Sequence, residues 1–296
     1  MSFNKIFVLG AGAVGSSYGA LLSKKNDVTL IGNKAHLNAI NSKGLTLSGD
    51  IQQRFFIKAE PKIKEIPTKS LILLTTKAHD SARAIKQAKD MLKEDTVILI
   101  LQNGLGNKEV VKAIVGDKVE VIRGVPKIAA EFLKPGEVTF WNGETILAKT
   151  RTGKAIAALF NECGLNVRVS NEIEREIWNK LILNCVVNPL TAILQVKNNE
   201  IPVERLRQVR SRIVEECVEV GKCEGIEFEP NVNESVDKCI SRYENYSSMC
   251  QDIMKGKDTE IDFINGKIVE LGRKHKIPTP ISEAMTCLIR FLEERK

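Results

Sequence analysis

The chain has 296 residues, enough for two domains, and its 43% hydrophobic and 27% charged residues argue for packed cores rather than general disorder. A formal charge of +7 is dispersed as lysines among acids, with no long basic run and 5% aromatics, which argues against a nucleic-acid partner and for a surface that attracts small anions. Seven scattered cysteines without a C-x-x-C pair and three histidines exclude zinc-ligand spacing, so no metal is expected and the thiols read as reduced.

No apolar run approaches the roughly 20 residues that a bilayer span needs. The opening Met1-Ser-Phe-Asn-Lys-Ile6 enters a strand without a signal-peptide pattern. A soluble, cytoplasmic protein with no membrane partner is the expectation.

Lys5 to Leu9 reads as a short apolar strand, followed by Gly10-Ala11-Gly12-Ala13-Val14-Gly15, a helix through about Ser23 and a second strand from Asp27 to Ile31. This is the G-x-G-x-x-G fingerprint in its required strand–helix–strand setting, which points to a dinucleotide. Gly10 would permit the tight turn, Gly12 the approach of a pyrophosphate, and Gly15 the pressing of helix on strand. The helix N-terminus would offer its N–H groups and partial positive charge to the phosphates. Beyond the second strand, Ile31-Gly32-Asn33-Lys34 has no acid to bond a ribose 2′-hydroxyl. Lys34 either neutralises a 2′-phosphate or is an ordinary exposed lysine, so NADP (NADPH) is favoured and NAD (NADH) stays open.

Ser70 to Thr75 is a strand running into Thr76-Lys77-Ala78-His79-Asp80, with a helix from Ser81 to Leu92. Asp95 to Leu101 is another, running into Gln102-Asn103-Gly104-Leu105-Gly106. Such continuous apolar strands are buried on both faces, as in parallel sheets, whose ligands bind beyond the strands' carboxyl ends. Lys77 and Asn103 fall at such ends. Asn103-Gly104 also fits a hairpin turn, but Lys108 to Ile114 is helix-like rather than a pairing strand. Val119 to Val125, Glu137 to Trp141 and Glu144 to Ala148 are expected to extend the sheet. A helix around Lys154 to Cys163 and a strand from Val167 to Ser170 close a first domain at residues 1–170.

Residues 171–296 turn to helical periodicity. Helices are expected over Glu172 to Val196, Val203 to Glu224, Asn231 to Arg242, Thr259 to His275 and Ile281 to Glu294. The first is interrupted at Pro189, whose missing N–H deprives the carbonyl four residues earlier of its bond and should kink the helix. Ser248-Met-Cys-Gln251 matches a capping box, placing a helix N-terminus beside Ser247 and Ser248. On sequence grounds Glu260 reads as a charge complementing a helix dipole.

Lys180, Asn184 and Asn188 sit four apart in the mostly apolar Ile177-to-Leu190 segment. Steps of four advance roughly 40° around a helix, so the three form one polar stripe. Each needs a partner, from the protein or from a polar ligand lying along the stripe, because an unsatisfied buried polar group costs about 1–3 kcal/mol. Lys180 alone also fits a lysine that snorkels to water.

Together the glycine loop, Thr76-Lys77-Ala78, Gln102-Asn103-Gly104, Trp178 to Ala192, Ser247 to Asp252 and Thr259-Glu260-Ile-Asp262 resemble the ketopantoate reductase family (2-dehydropantoate 2-reductases) over nearly the whole chain. The resemblance implies an α/β fold: a Rossmann-type dinucleotide-binding domain joined to an all-helical domain like the 6-phosphogluconate dehydrogenase C-terminal domain, with the active site in the cleft between them. It implies reduction of 2-dehydropantoate to (R)-pantoate with a nicotinamide cofactor, on the route to pantothenate and coenzyme A. Lys180 then matches the family's proton donor. Asn184, Asn188, Asn198 and the run Asn245-Tyr246-Ser247-Ser248 match substrate contacts, with Ser248 foremost. Lys77, Asn103 and Glu260 match positions lining the cofactor and substrate cleft, Asn103 on both sides of it, and Ala130 a cofactor contact. The chain departs from the family at Asn33, where many members carry arginine, and at Pro126-Lys127, where a threonine-led stretch is expected after Gly124-Val125. Apolar faces in the helical half point to a homodimer. Two other readings stand beside this one: a sibling dehydrogenase of another 2-keto or β-hydroxy acid, and a non-catalytic nicotinamide sensor.

Overall fold

The computed structural model describes residues 2–295, which form two compact units. The first takes the chain up to Gln102 together with Asn107–Ile173; the second takes Asn103–Gly106 together with the chain from Glu174 onward.

In the first unit the elements run β1 (Lys5–Leu9), α1 (Ala13–Leu22), β2 (Val28–Ile31), α2 (Lys34–Lys43), β3 (Leu45–Gly49), β4 (Gln53–Phe55), β5 (Lys58–Glu60) and β6 (Ser70–Leu74). They continue with α3 (Ser81–Ala88), β7 (Val97–Ile100), α4 (Asn107–Val115), β8 (Glu120–Pro126), β9 (Ala129–Lys134), β10 (Glu137–Trp141), β11 (Glu144–Ala148), α5 (Arg151–Glu162) and β12 (Asn166–Ser170). The main sheet has the order β12-β11-β8-β7-β6-β1-β2-β5, with every neighbouring pair parallel except β11 and β8. Its central strands are buried on both faces because alternate side chains enter different cores. Ile6, Val8, Leu71 and Leu73 pack with Tyr18, Ile156 and Phe160 on one side; Phe7, Leu9, Ile72 and Leu74 pack with Ile85 and Val111 on the other.

One expectation is corrected here. Glu137 to Trp141 does not extend the main sheet; it lies in a second sheet of order β4-β3-β10-β9, parallel to β3 and antiparallel to β9. The strand after β10 returns to the main sheet, antiparallel to β8.

The second unit is helical: α6 (Ile173–Leu194), which begins at the last residue of the first unit, α7 (Glu204–Cys223), α8 (Val232–Ile240), α9 (Ser248–Met254), α10 (Asn265–His275) and α11 (Pro280–Glu294). Its core gathers Leu181, Ile182, Cys185, Val186, Leu190, Ile213, Cys217, Val220, Ile268 and Ile289. Contrary to the reading of the sequence, α6 is long and apolar enough to cross a bilayer by length and composition, but 67% of its most apolar window is buried inside the protein, as befits a core helix.

α6 also runs through Pro189 rather than stopping there. The carbonyl that this proline cannot serve belongs to Cys185, and Asn265 Nδ2 donates to it at 3.1 Å. Asn265 is fully buried. A side chain from α10 therefore replaces the backbone donor that the ring removes. The helix expected over Thr259 to His275 is broken instead: a single 3-10 turn, Ile261–Phe263, precedes α10, and Ile264 between them has φ −108° and ψ −100°.

Candidate functional site

The first unit contributes the glycine loop. β1 lies between β2 and β6, where the chain's order in the sheet reverses, and the glycine loop leaves from its carboxyl end. The N–H groups of Gly10 and Ala11 both donate to Ile31 O, at 3.0 and 2.8 Å, and Thr75 Oγ1 donates to Gly10 O at 2.9 Å. Gly10 has φ +113°, and a Cβ there would lie 2.3 Å from Thr76 N, so no other residue fits. A Cβ at Gly15 would meet Gly10 O at 2.3 Å, which is where α1 presses on the loop.

Gly12 differs. Its φ of −84° suits any residue, and a Cβ would meet nothing within 4 Å. Among the described residues, no contact requires glycine at this position. What the missing side chain preserves is open space before the first turn of α1, where Gly12 supplies no side-chain cap. The N-terminus of a helix beside such a space suits a pyrophosphate, so these residues fit a bound dinucleotide.

Asn33 is the N-cap of α2, its Oδ1 accepting from His36 N at 3.0 Å, and Lys34 is the first helical residue. Both are exposed, and the first turn of α2 holds no acid. His36, one turn in, is fully buried. Its Nδ1 accepts from Gly136 N at 2.9 Å, so Nε2 carries the proton and donates to Ser16 Oγ, also at 2.9 Å. Burial pushes its pKa below the usual histidine value. Lys77, half-buried, follows β6 and precedes a 3-10 turn over Ala78–Asp80. Ala130 lies in β9, opposite Phe140 of the second sheet.

The second unit holds the remaining predicted residues. Lys180 and Asn184 are half-buried along α6, and Asn188 is buried. Asn103 Nδ2 donates to Glu260 Oε2 at 3.2 Å. This pair joins residues 157 apart in the chain because Leu105 N donates to Phe263 O at 2.9 Å, and Gly104, at φ +80°, sits so close that a Cβ would lie 2.3 Å from that same carbonyl. Glu260 is buried and precedes the 3-10 turn rather than opening a long helix, so its carboxylate bonds an amide instead of merely complementing a dipole.

Asn198 N donates to Asn245 O at 3.1 Å, and Asn245 Nδ2 donates to Tyr246 O at 2.9 Å. The capping box read at Ser248 is displaced by one residue. Ser247 is the N-cap of α9; its Oγ accepts from Cys250 N at 3.1 Å and lies 2.7 Å from Thr191 Oγ1 on α6. Ser247 is thus buried and occupied within the protein, whereas Ser248, the first residue of α9, is exposed. Sequence reasoning missed Thr191, Asn265 and the network around Gln102. Only Asn265 had a signal, because Pro189 implies a carbonyl in need of a donor.

Known proteins match nearly the whole chain. Residues 6–178 match the family model described as ketopantoate reductase PanE/ApbA, and residues 172–293 match its C-terminal counterpart. The 2-dehydropantoate 2-reductase of Pyrococcus horikoshii is 36% identical over 299 residues, spanning 98% of this chain and 97% of that one. The 2-dehydropantoate 2-reductase of Archaeoglobus fulgidus is 30% identical, spanning 99% of each. Among solved structures, a PanE/ApbA family ketopantoate reductase from Ralstonia eutropha superposes with TM-score 0.92 at 31% identity, over 98% of this chain and 99% of that one. A D-mandelate dehydrogenase in ternary complex with NADH and anilino(oxo)acetate gives TM-score 0.91 at 29% identity, over the same shares.

Proposed function

This chain belongs to the ketopantoate reductase family, and on that footing we propose that it reduces 2-dehydropantoate to (R)-pantoate with a nicotinamide cofactor, NADPH in preference to NADH. The bound cofactor supplies the hydride. Residues Gly10 to Gly15 would hold its pyrophosphate, with Lys77, Ala130, Asn103 and Glu260 completing its contacts. The preference for a 2′-phosphate is supported by exposed Lys34 at the start of α2, by the helix N-terminus itself and by the lack of an acid in its first turn.

The observation that carries the reading is the polar stripe on α6, Lys180, Asn184 and Asn188 at steps of four within the mostly apolar Ile177–Leu190 stretch of a core helix. A ketone gains negative charge on oxygen as its carbon is reduced. In this reading Lys180 stabilises that charge and delivers a proton to it, leaving a hydroxyl. Acid catalysis of this kind contributes about 10²–10⁴-fold. Asn184 and Asn188 bond neutral oxygens of the substrate or orient the lysine. Ser248, an exposed residue at the start of α9, holds the carboxylate, and Asn198 and Asn245 line the same substrate. Glu260 holds Asn103 and accepts from a substrate or ribose hydroxyl. Seven free thiols suit work in a reducing cytoplasm.

A second reading, reduction of another 2-keto acid, is favoured by the likeness to D-mandelate dehydrogenase. An assay of 2-dehydropantoate against an aryl 2-keto acid, each with NADPH and NADH, separates them through loss of reduced-cofactor absorbance. The highest kcat/KM is expected for 2-dehydropantoate with NADPH. Preference for the aryl acid would establish the second reading, and tight cofactor binding without turnover would mark a sensor.

A further inference from the structure

The loop that follows β6 carries Lys77 but has little secondary structure to fix it. One buried side chain ties it down. Gln102, 5% exposed at the end of β7, points its amide nitrogen at Thr76 O (2.6 Å), Ser81 Oγ (2.8 Å), Thr76 Oγ1 (3.0 Å) and Lys77 O (3.2 Å). An amide nitrogen has two protons. The two shortest contacts take them, one on the residue before Lys77 and one on the first residue of α3. Ser81 is fully buried, and its Oγ lies 2.8 Å from Ala78 O and 3.1 Å from Gln102 Oε1. The hydroxyl therefore passes the clamp on to the residue after Lys77. The backbone on both sides of Lys77 is anchored to one glutamine, through bonds that are buried at Ser81 and partly buried at Thr76.

We propose that Gln102 is a positioning residue for the cofactor: with Ser81 it fixes the backbone from Thr76 to Ala78 and so aims Lys77 at the nicotinamide dinucleotide. This rests on the reading that Lys77 lines the cofactor. Hydrophobic burial would hold β7 in place whether or not position 102 carried an amide, since Ile98, Leu99, Ile100 and Leu101 are all buried. The amide's own contribution is to the loop. Without it, Thr76 O loses its closest donor, and the loop gains freedom that cofactor binding must then remove.

The test measures reduced-cofactor affinity in the absence of keto acid for Gln102→Met, Ser81→Ala, Lys77→Met and the Lys77→Met/Gln102→Met double variant, with thermal denaturation alongside. Gln102→Met is expected to weaken cofactor binding on the order of tenfold, Ser81→Ala less and in the same direction, with KM for the keto acid unchanged at saturating cofactor. The double variant should be no weaker than the worse single one, because both changes remove the same contact. Unchanged cofactor affinity in Gln102→Met and Ser81→Ala, beside a weakened Lys77→Met, would overturn the inference alone, even if both variants melted earlier. Full additivity in the double variant would overturn it too. No effect of Lys77→Met would instead remove Lys77 from the cofactor site and take the inference with it. Should Gln102→Met fail to fold, Ser81→Ala decides by the same readout.

Discussion

The bond between Asn265 and the Cys185 carbonyl makes the sharpest structural prediction. Pro189 has no N–H, so Cys185 O inside α6 depends on Asn265 Nδ2 at 3.1 Å, and both residues are fully buried. Asn265→Ala leaves that carbonyl unsatisfied away from water, which costs about 1–3 kcal/mol. The same change also removes Asn265 Oδ1, a buried atom without a hydrogen-bond partner among the described residues, so part of the cost is offset and the lower half of that range is expected. Pro189→Ala supplies the missing N–H one turn along the helix. In that background Asn265→Ala should cost about 1 kcal/mol less, a coupling within the span seen for residues that share a partner. Urea unfolding of the four proteins, followed by circular dichroism, measures the cycle. Equal effects of Asn265→Ala in both backgrounds would refute the claim that the two residues meet at one carbonyl.

Gly12→Ala should bind reduced cofactor roughly 10–200-fold more weakly without a change in Tm, because beyond its chain neighbours its methyl group would meet no atom of the described residues within 4 Å; parallel binding and melting measurements check both halves. His36 should make stability depend on pH. Its pKa is lowered in the folded protein by burial, so the unfolded chain binds more protons below about pH 6.5, and stability is full above that value and falls as the pH drops toward the folded pKa. His36→Gln should therefore lose most relative to the parent near pH 8 and progressively less near pH 5.5, measured as the difference in urea midpoints. A constant difference across that range would remove His36 as the source.

The elements that the sequence made legible are those whose burial is regular. β1, β6 and β7 are apolar runs because both faces are covered, and the glycine loop follows β1 with a turn that Gly10 alone can make. The second sheet was hidden because β4 is three residues long and β9 has no fully buried position to set a period; β5, at the edge of the main sheet, is equally short. α2 was missed although Asn33 caps it. In the helical half, propensity marked the helices, but tertiary bonds chose their ends. Ser-x-x-Gln at Ser248 is a sound local signal, yet Ser247 wins because it caps Cys250 while meeting Thr191 of α6. The Thr259-to-His275 helix breaks at Ile264, next to the carbonyl of Phe263 that Leu105 N engages. The pairing of Asn103 with Glu260 depends on that contact and has no local trace. The stripe of Lys180, Asn184 and Asn188 was legible because it needs only helical spacing.

The central claim is that Lys180 delivers the proton, and steady-state kinetics of Lys180→Ala with 2-dehydropantoate, paired with titration of reduced cofactor, tests it most directly. The account predicts that kcat falls at least about 100-fold while cofactor affinity is unchanged. Turnover equal to that of the parent enzyme would contradict it.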